Sequence, residues 1–486
     1  MHPQRLTEAA LRPAPDRWIF AGLLAVLAWL PLPWGTHTPS AESFFGLSAA
    51  LLAGAHFMGR ARRHLRQLEL TPAARIALVA WIGWLGWIVL EIVPLPAGLL
   101  PQASAEVHGA LAAFPGAHAW PAISIMPGTT MDQVLLSFGY FCLFWVVMAT
   151  VRGDRARQRM LLVTLLASGV VQALYGSIMT LSGLEYGFFA PKTFDLGVAT
   201  GTFVNRNHLA GYLELTLSAG LALILADLQP GDGAATGWRA RLDAVLELLL
   251  SRRLRVRAML IVMVVALVLT RSRMGNLAFF IALALCGSAY MLVRHKRLFA
   301  RSLILFLSVF VVDLWVVSER FGLEQVAQRI QSTDVKTEQR AQVLLELDPV
   351  VRKYWLTGAG LGTFAAAYSP YQTDQVQGYY DHAHNDHLEL IIETGAIGYA
   401  LLLALAATVL VHGGLLVLRR HDPRACALGF AAPMALTCLA IHGTADFNLH
   451  IPAVAATLVA LMALCLSCSA QSHHGQPAAD PTPDVG

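Results

Sequence analysis

Apolar runs of about 20 residues recur along the whole 486-residue chain. As a helix, a run of this length crosses roughly 30 Å of hydrocarbon. Only 14% of the residues are charged, whereas soluble domains carry about 25%. The chain therefore lacks the polar surface of a water-soluble globule, and we predict an all-α integral membrane protein. Its net charge of +4 gives no reason to expect nucleic acid as a partner.

Twelve transmembrane helices are predicted from these runs. One extramembrane insertion, 318–387, is much longer than the others; it shows helical periodicity over 334–356 and then a Gly-rich turn. The resulting units are N-terminal spans (1–182), central spans (183–317), a large helical loop (318–387), C-terminal spans (388–469) and a disordered cytoplasmic tail (470–486). The spans are 18–34, 44–59, 76–93, 133–151, 160–182, 208–227, 257–270, 276–293, 302–317, 388–413, 426–442 and 454–469.

The distribution of basic residues predicts the orientation. Lys and Arg are enriched in the cytoplasmic loops of membrane proteins. With the N-terminus inside, 25 of the 35 Lys and Arg lie in segments assigned to the cytoplasm, and the opposite face has only 10. The large loop 318–387 and the turn 271–275 are therefore expected on the outer face.

Three of the ten basic residues assigned to the outer face, where Lys and Arg are disfavoured, lie next to apolar runs. Arg206 lies in GTFVNRNHLAGY, and Arg271 and Arg273 lie in the short turn TRSRMGN. Arginine at a membrane boundary is costly unless it is paired or faces a polar cavity. Two interpretations stay open: the side chains extend to lipid phosphates, or they form a cluster that binds a diphosphate through the planar guanidinium groups.

A second group of polar residues lies where the large loop re-enters the membrane, in DHAHNDHLELIIETGAIGY (381–399). Histidine titrates near neutral pH, so it can remove the proton of a sugar hydroxyl as that oxygen attacks. Glu389 and Glu393 follow at a spacing that places both on one helix face.

Metal binding is the alternative for this segment. The run from His382 to His387 matches H-x-H-x-D-H, the metal-ligand signature of the metallo-β-lactamase fold. That motif follows a strand of a soluble sheet sandwich, whereas a membrane helix follows here; His442 and His450 are possible distant ligands. The six cysteines lie in apolar runs and indicate neither disulfides nor a zinc site. We expect no metal.

The same residues resemble a known family. His384-Asn385, nine further residues and Gly395-Ala-Ile-Gly398 fit the pattern H-[N/S/Q]-x9-G-x-x-G of O-antigen ligases and Wzy-type polymerases. The motif closes a large loop between late spans, as it does in the family. Further segments similar to the family are FVNRNHLAGY (203–212), TRSRMG (270–275), TEQRAQVLLELDP (337–349), GAGLGTF (358–364) and DFNLHIP (446–452).

This resemblance implies a GT-C-like glycosyltransferase of the bacterial inner membrane with a periplasmic active face. The implied donor is a saccharide on undecaprenyl diphosphate, and the acceptor is lipid A–core for a ligase or a second lipid-linked glycan for a polymerase. Transfer would be inverting and would need no cofactor. The family pattern makes His384 the general base and assigns the diphosphate to Arg206, Arg271, Arg273 and Arg340. It leaves Asn385, Gly395 and Gly398 as motif residues and the roles of His382, His387 and Glu393 open.

Three classes of function remain at this point. Transfer of a lipid-linked saccharide is favoured, with the ligase preferred to the polymerase. A transporter is the second class, because intramembrane charges also mark permeation paths, although no repeated pair of interrupted spans is recognisable. A metal-dependent membrane hydrolase is the third.

Overall fold

The computed structural model of the chain describes residues 14–61, 70–113, 120–188, 190–227, 252–294 and 335–469. The predicted span 302–317, the first part of the predicted large loop and the predicted tail 470–486 lie outside the described residues. In the described ranges the α-helices are α1 (Ala14–Trp29), α2 (Pro39–Ala61), α3 (Pro72–Leu90), α4 (Gln102–Ala112), α5 (Pro127–Val151), α6 (Arg155–Ser182), α7 (Arg206–Ala226), α8 (Arg252–Leu269), α9 (Arg273–Arg294), α10 (Val335–Tyr354), α11 (Phe364–Tyr368), α12 (Asp386–Arg419), α13 (Pro423–His442) and α14 (Pro452–Leu466). A two-stranded antiparallel ribbon, β1 (Tyr186–Gly187) and β2 (Ala190–Pro191), lies between α6 and α7.

Eight helices of the described part are long and apolar enough to cross a membrane, namely α2, α3, α5, α6, α7, α9, α12 and α13. The apolar helix α14 is shorter, with 15 residues. Each predicted span inside the described ranges overlaps a helix. The all-α membrane class is therefore confirmed, whereas the count of twelve spans, the GT-C-like topology and the division into units stay predictions.

Polar caps fix where several of these helices begin. The side chains of Thr71, Asp154, Asn205, Asn385 and Asp422 each accept a hydrogen bond from a backbone N–H in the first turn of the following helix. Proline at the first turn of α3 and α13 adds a residue whose fixed φ suits a helix start. The chain thus turns at defined residues between its apolar runs.

The core of the bundle lies around α14 and α7. Every residue of α14 is buried, and α14 packs against α5, α7 and α13. On α7, Tyr212 is fully buried and its hydroxyl is 2.9 Å from the Ser168 hydroxyl of α6. A helix that is apolar all round belongs in the interior of a large bundle, which explains why α14 does not face lipid.

A second, smaller core covers one end of the bundle. Val343, Leu347 and Tyr354 of α10 pack with Phe364 and Tyr368 of α11 in this core. The predicted helix over 334–356 is present as α10, and the chain then turns through glycines with positive φ at 358, 360 and 362. The helix α4 contributes Ala103 to the same core; nothing in the sequence analysis anticipated α4.

The connections between the helices lie at two ends of the bundle. We call one end the site end. There the start of α12 contacts the loop 443–451 through the backbone bond from Asp386 N to Gly443 O, at 2.8 Å, and the start of α7 contacts the same loop through Asn207 and Asp446. The opposite end carries the starts of α6 and α13, where Arg155 lies 3.4 Å from Asp422.

Candidate functional site

The site is built on the start of α12. Asn385 caps this helix: its side-chain oxygen accepts from the backbone N–H groups of His387 and Leu388, both at 3.1 Å. Its amide nitrogen donates to the carbonyl of Thr444 at 3.0 Å. The preceding residue, His384, has a φ of +51°, a left-handed conformation that is uncommon for a residue other than glycine. Asn385 therefore ties the loop bearing His384 to the loop that precedes α14.

His384 is paired with a buried acid. Its Nδ1 lies 3.4 Å from Oδ1 of Asp446, whose side chain is only 1% exposed. The same Asp446 oxygen accepts from the Phe447 backbone N–H at 2.9 Å, and the other oxygen accepts from Asn207 at the start of α7. The His384 side chain is 18% exposed. If Nδ1 carries the proton and donates a hydrogen bond to Asp446, Nε2 is the unprotonated, basic nitrogen of an accessible imidazole.

The electrostatic state of Asp446 suits this pairing. Burial by itself raises the pKa of a carboxyl group, but the hydrogen bond to His384 and the neighbouring histidines bring the pKa of Asp446 below its usual value. Asp446 is therefore a carboxylate at neutral pH. A carboxylate in this position holds the imidazole in one tautomer and stabilises the imidazolium that forms when the ring takes a proton.

A second group of ionisable residues, the acid cluster, lies beside this pair. His450 is at its centre: Nδ1 is 3.1 Å from Asp386, and Nε2 is 3.4 Å from Glu389 and 3.6 Å from Glu393. His382 Nδ1 is 2.6 Å from Glu389, and the His382 ring stacks on Phe447. Burial would lower the pKa of His450, but the three carboxylates raise it well above its usual value. A histidine cation thus balances part of the buried negative charge.

Three atoms of this cluster have the spacing of metal ligands. Side-chain atoms of His382, Glu389 and His450 all lie within 4.8 Å of one another. The H-x-H-x-D-H pattern is not what assembles this triad, since His384 faces Asp446 and His387 faces the Tyr399 hydroxyl and the Ala440 carbonyl, both at 2.8 Å. The donor set of two imidazoles and a carboxylate suits zinc or a similar ion. A protonated His450 cannot coordinate a metal ion through the same nitrogen, so protonation of His450 competes with metal binding.

The motif glycines allow the turn after α10 to contact α12. Gly395 has φ +65° and ψ −179° and interrupts the helical conformation within α12. Ala359 N and Gly360 N donate to the carbonyls of Ile392 and Glu393, at 2.9 and 2.8 Å. In return, Ala396 N donates to the Trp355 carbonyl at 2.7 Å. The two segments therefore exchange the backbone hydrogen bonds that a regular helix would make internally.

Side chains secure the same contact. The carboxylate of Glu393 accepts from Phe364 N, and that of Glu91 accepts from Leu361 N, both at 3.0 Å. A side chain at Gly398 would collide with Thr394 and with the ring of Trp87, whose indole nitrogen donates to the Thr394 carbonyl at 2.9 Å. Glu393 thus has one carboxylate oxygen on the Gly-rich turn and the other 3.6 Å from His450.

Three of the four predicted arginines lie in segments of the site end. Arg206 is the first residue of α7, next to Asn207; its Nε is 3.7 Å from Asp195, and the side chain is 41% exposed. Arg271, with φ +53°, is exposed in the turn between α8 and α9, and Arg273 is exposed as the first residue of α9. A Cβ at Gly275, in the first turn of α9, would lie 2.7 Å from Ala210 Cβ of α7, so the start of α9 packs on α7. The Arg340 side chain lies outside the described residues.

An apolar cavity of about 260 Å³ opens beside the acid cluster, between α3, α5, α12, α13 and α14. Most of its lining is apolar and includes Trp81. Its polar lining residues are Gln133, Ser137, Tyr140, His387, Tyr399 and His450. Such a cavity has the size and lining for part of a hydrocarbon chain. Because His450 lines this cavity, the cavity lies next to the candidate site.

Sequence reasoning predicted His384, Asn385 and the glycines, which lie at the candidate site, but it did not predict Asp446 as the partner of His384. The segment DFNLHIP was recognised only as similar to the family, although an acid between two apolar runs is itself a signal of function. Asn207 and Glu91 were also missed, because an amide or a single acid next to an apolar run gives no pattern that indicates its partner.

Comparison with known proteins supports the family. A family model described as O-antigen ligase matches residues 258–403. The matched range contains His384 with Asn385, Gly395 and Gly398, and it also contains Arg271, Arg273 and Arg340; Arg206 and Asp446 lie outside it. No curated protein matches the chain. Residues 258–403 are therefore similar to the O-antigen ligase/Wzy-type family, as the motifs in this part of the chain predicted.

Proposed function

We propose that this protein transfers a saccharide from undecaprenyl diphosphate to a lipid A–core acceptor at the periplasmic face of the bacterial inner membrane. The family supports ligase- or polymerase-type activity in general. The observation that carries the more specific proposal is the pairing of the accessible His384 with the buried carboxylate of Asp446 at 3.4 Å. This is the arrangement of a general base and the group that orients it.

In the proposed reaction, Nε2 of His384 takes the proton of an acceptor hydroxyl as the hydroxyl oxygen bonds to the anomeric carbon of the donor. The bond from that carbon to the diphosphate oxygen breaks on the opposite side, so the configuration inverts. Negative charge then develops on the leaving lipid diphosphate. Arg206, Arg271, Arg273 and Arg340 are proposed to stabilise that charge, since guanidinium groups match phosphate oxygens and stay protonated.

Several features support two lipid substrates. The helices α7 and α9, which begin at Arg206 and Arg273, pack against α13. The apolar cavity of about 260 Å³ lies between α13, α12 and α14. We propose that this cavity takes part of a lipid chain of one substrate. Both lipid-linked substrates would then reach the site by lateral diffusion in the bilayer.

Deletion of the gene, followed by gel analysis of surface polysaccharide, tests the proposal. Loss of the whole ladder with bare lipid A–core remaining is expected, and complementation with His384→Ala should not restore the ladder. A single repeat still attached to core would identify the protein as a polymerase. Unchanged lipopolysaccharide with a missing exopolysaccharide would indicate a polymerase of that other pathway, and an unchanged surface would contradict both.

Metal-dependent chemistry is the second candidate, because His382, Glu389 and His450 have ligand spacing. We propose instead that the protonated His450, surrounded by Asp386, Glu389 and Glu393, supplies the positive charge within this cluster. Activity of purified protein should therefore persist in EDTA. Stoichiometric zinc in protein purified without added metal, together with loss of activity in EDTA, would favour the metal site.

A further inference from the structure

A polar pocket of about 280 Å³ lies at the end of the bundle opposite the site end. Three connections that are distant in sequence form it: the turn between α5 and α6, the turn between α12 and α13, and the end of α14. The residues that carry its charge are Arg152, Arg155, Arg420, Arg424 and Asp422.

The pocket has an excess of positive charge. Four arginines line it, and its single lining acid is Asp422. That carboxylate already lies 3.4 Å from Arg155 and accepts from the backbone N–H of Arg424 at 3.2 Å, where it caps α13. The nearby Asp154 is paired with Arg157.

One guanidinium nitrogen stands out in this pocket. Nη1 of Arg152 is buried and has no hydrogen-bond partner within the part of the chain that the structure describes. A buried charged donor without a partner is costly. An anion bound among the four arginines would supply an acceptor to this guanidinium after a rotation of the Arg152 side chain.

We propose that this pocket binds the phosphate group of an anionic membrane phospholipid. Arginine forks match phosphate oxygens, and basic pockets between the ends of transmembrane helices bind anionic lipid headgroups. The pocket lies where the spanning helices α5, α6, α12 and α13 end or begin, which is the level of the lipid phosphates rather than of bulk water.

An adjoining cleft favours a lipid over a soluble phosphate. This cleft shares Arg155, Gln158 and Arg424 with the pocket, and its other lining residues include Leu162, Leu223 and Leu428 of α6, α7 and α13. A phosphate held by the arginines would therefore have an apolar path beside it along spanning helices. An acyl chain attached to the phosphate can lie against these apolar side chains, whereas free phosphate gains nothing from them.

Titration of detergent-purified full-length protein, followed by native mass spectrometry, tests the proposal. Phosphatidylglycerol and phosphatidylethanolamine with the same acyl chains are compared, and phosphatidylglycerol should bind more tightly. Each arginine near a membrane surface contributes roughly fivefold in affinity for anionic lipid. Replacing two, in Arg152→Gln/Arg424→Gln, should therefore weaken phosphatidylglycerol binding by about 25-fold.

Two further variants sharpen the test. Asp422→Asn removes the single acid and keeps a side chain that can cap α13, so it should strengthen phosphatidylglycerol binding. Arg352→Gln is the control, because Arg352 is 79% exposed on α10 at the other end of the bundle; it should change nothing. Unchanged size-exclusion profiles show that each variant is folded.

Three outcomes would overturn the proposal. Equal binding of the two lipids would remove the preference for an anionic headgroup. Displacement of the lipid by inorganic phosphate at similar concentration would identify a soluble-phosphate site. Residues 470–486 carry Asp480 and Asp484 and no Lys or Arg, so this segment could occupy the basic pocket in place of a lipid. Lipid binding that appears only after removal of residues 470–486 would show that this segment is the occupant.

Discussion

The pairing of His384 with Asp446 joins two distant parts of the sequence. Asp446 stands in the loop before α14, and its second oxygen accepts a hydrogen bond from Asn207 at the start of α7. Asn385 ties the same loop to the start of α12 through the Thr444 carbonyl. The imidazole is thus oriented by three chain segments, which is the support that a catalytic group requires. In the proposed reaction Asp446 acts through His384, which makes Asp446 a positioning residue.

Asp446→Asn is expected to lower kcat by about 10²–10⁴-fold, the range that a general base contributes, and to leave the KM for the donor nearly unchanged. The physical reason is that an amide does not stabilise the imidazolium and can select the wrong tautomer. Steady-state kinetics on purified protein checks the separation of kcat from KM.

Asp348→Asn is the matched control for this substitution. Asp348 is 66% exposed on α10 and pairs with Arg352 of the same helix. A parallel loss of kcat and of folded protein in Asp446→Asn, measured by thermal unfolding, would assign Asp446 a structural role alone.

The helix α12 owes its shape to one interruption. At Gly395 the chain leaves the helical conformation, and the carbonyls of Ile392 and Glu393 accept hydrogen bonds from the turn after α10 instead. The turn after α10 also requires glycine at position 358, because a Cβ there would lie 2.1 Å from the Glu393 carbonyl oxygen. Gly395 of the H-N-x9-G-x-x-G pattern thus allows backbone contact between the large loop and α12, and this contact holds Glu393 near His450.

Gly395→Ala is predicted to destabilise the protein. The conformation at Gly395 is nearly restricted to glycine and costs other residues about 1–3 kcal/mol, and a Cβ there would lie 2.2 Å from the Leu356 carbonyl oxygen. Since the affected contact positions the loop of His384, transfer activity should fall as well. Thermal unfolding in detergent and an activity assay measure the two effects.

Gly414→Ala in the same helix is the control. A Cβ at Gly414 meets nothing within 4 Å, and alanine is favoured over glycine in a helix by about 1 kcal/mol. This variant should be as stable as the parent protein or more stable. Equal stability of Gly395→Ala and Gly414→Ala would show that the interruption at Gly395 does not depend on glycine.

Across the whole molecule, the sequence predicted the helices well, because length and hydropathy alone determine where a chain can cross a bilayer. It also predicted α10 and the glycine turn, where local periodicity and glycine are sufficient. It did not predict α4, a short helix outside the apolar runs, nor the partners of His384 and His450. Those partners come from α12 and from the loop before α14, and pairing between distant segments leaves no periodic signal in one sequence.

The orientation of the bundle in the membrane is the last prediction. Among the described residues, Arg152, Arg155, Arg159, Arg420 and Arg424 lie at the end opposite His384, and the positive-inside rule assigns that end to the cytoplasm. In a background without the six native cysteines, Tyr379→Cys at the site end and His421→Cys at the opposite end provide exposed probes. An impermeant maleimide should label position 379 in intact spheroplasts and position 421 only after lysis. The reverse pattern would place His384 in the cytoplasm, where a donor displayed in the periplasm could not reach it, and the transfer reaction proposed for this protein would have to be abandoned together with the orientation.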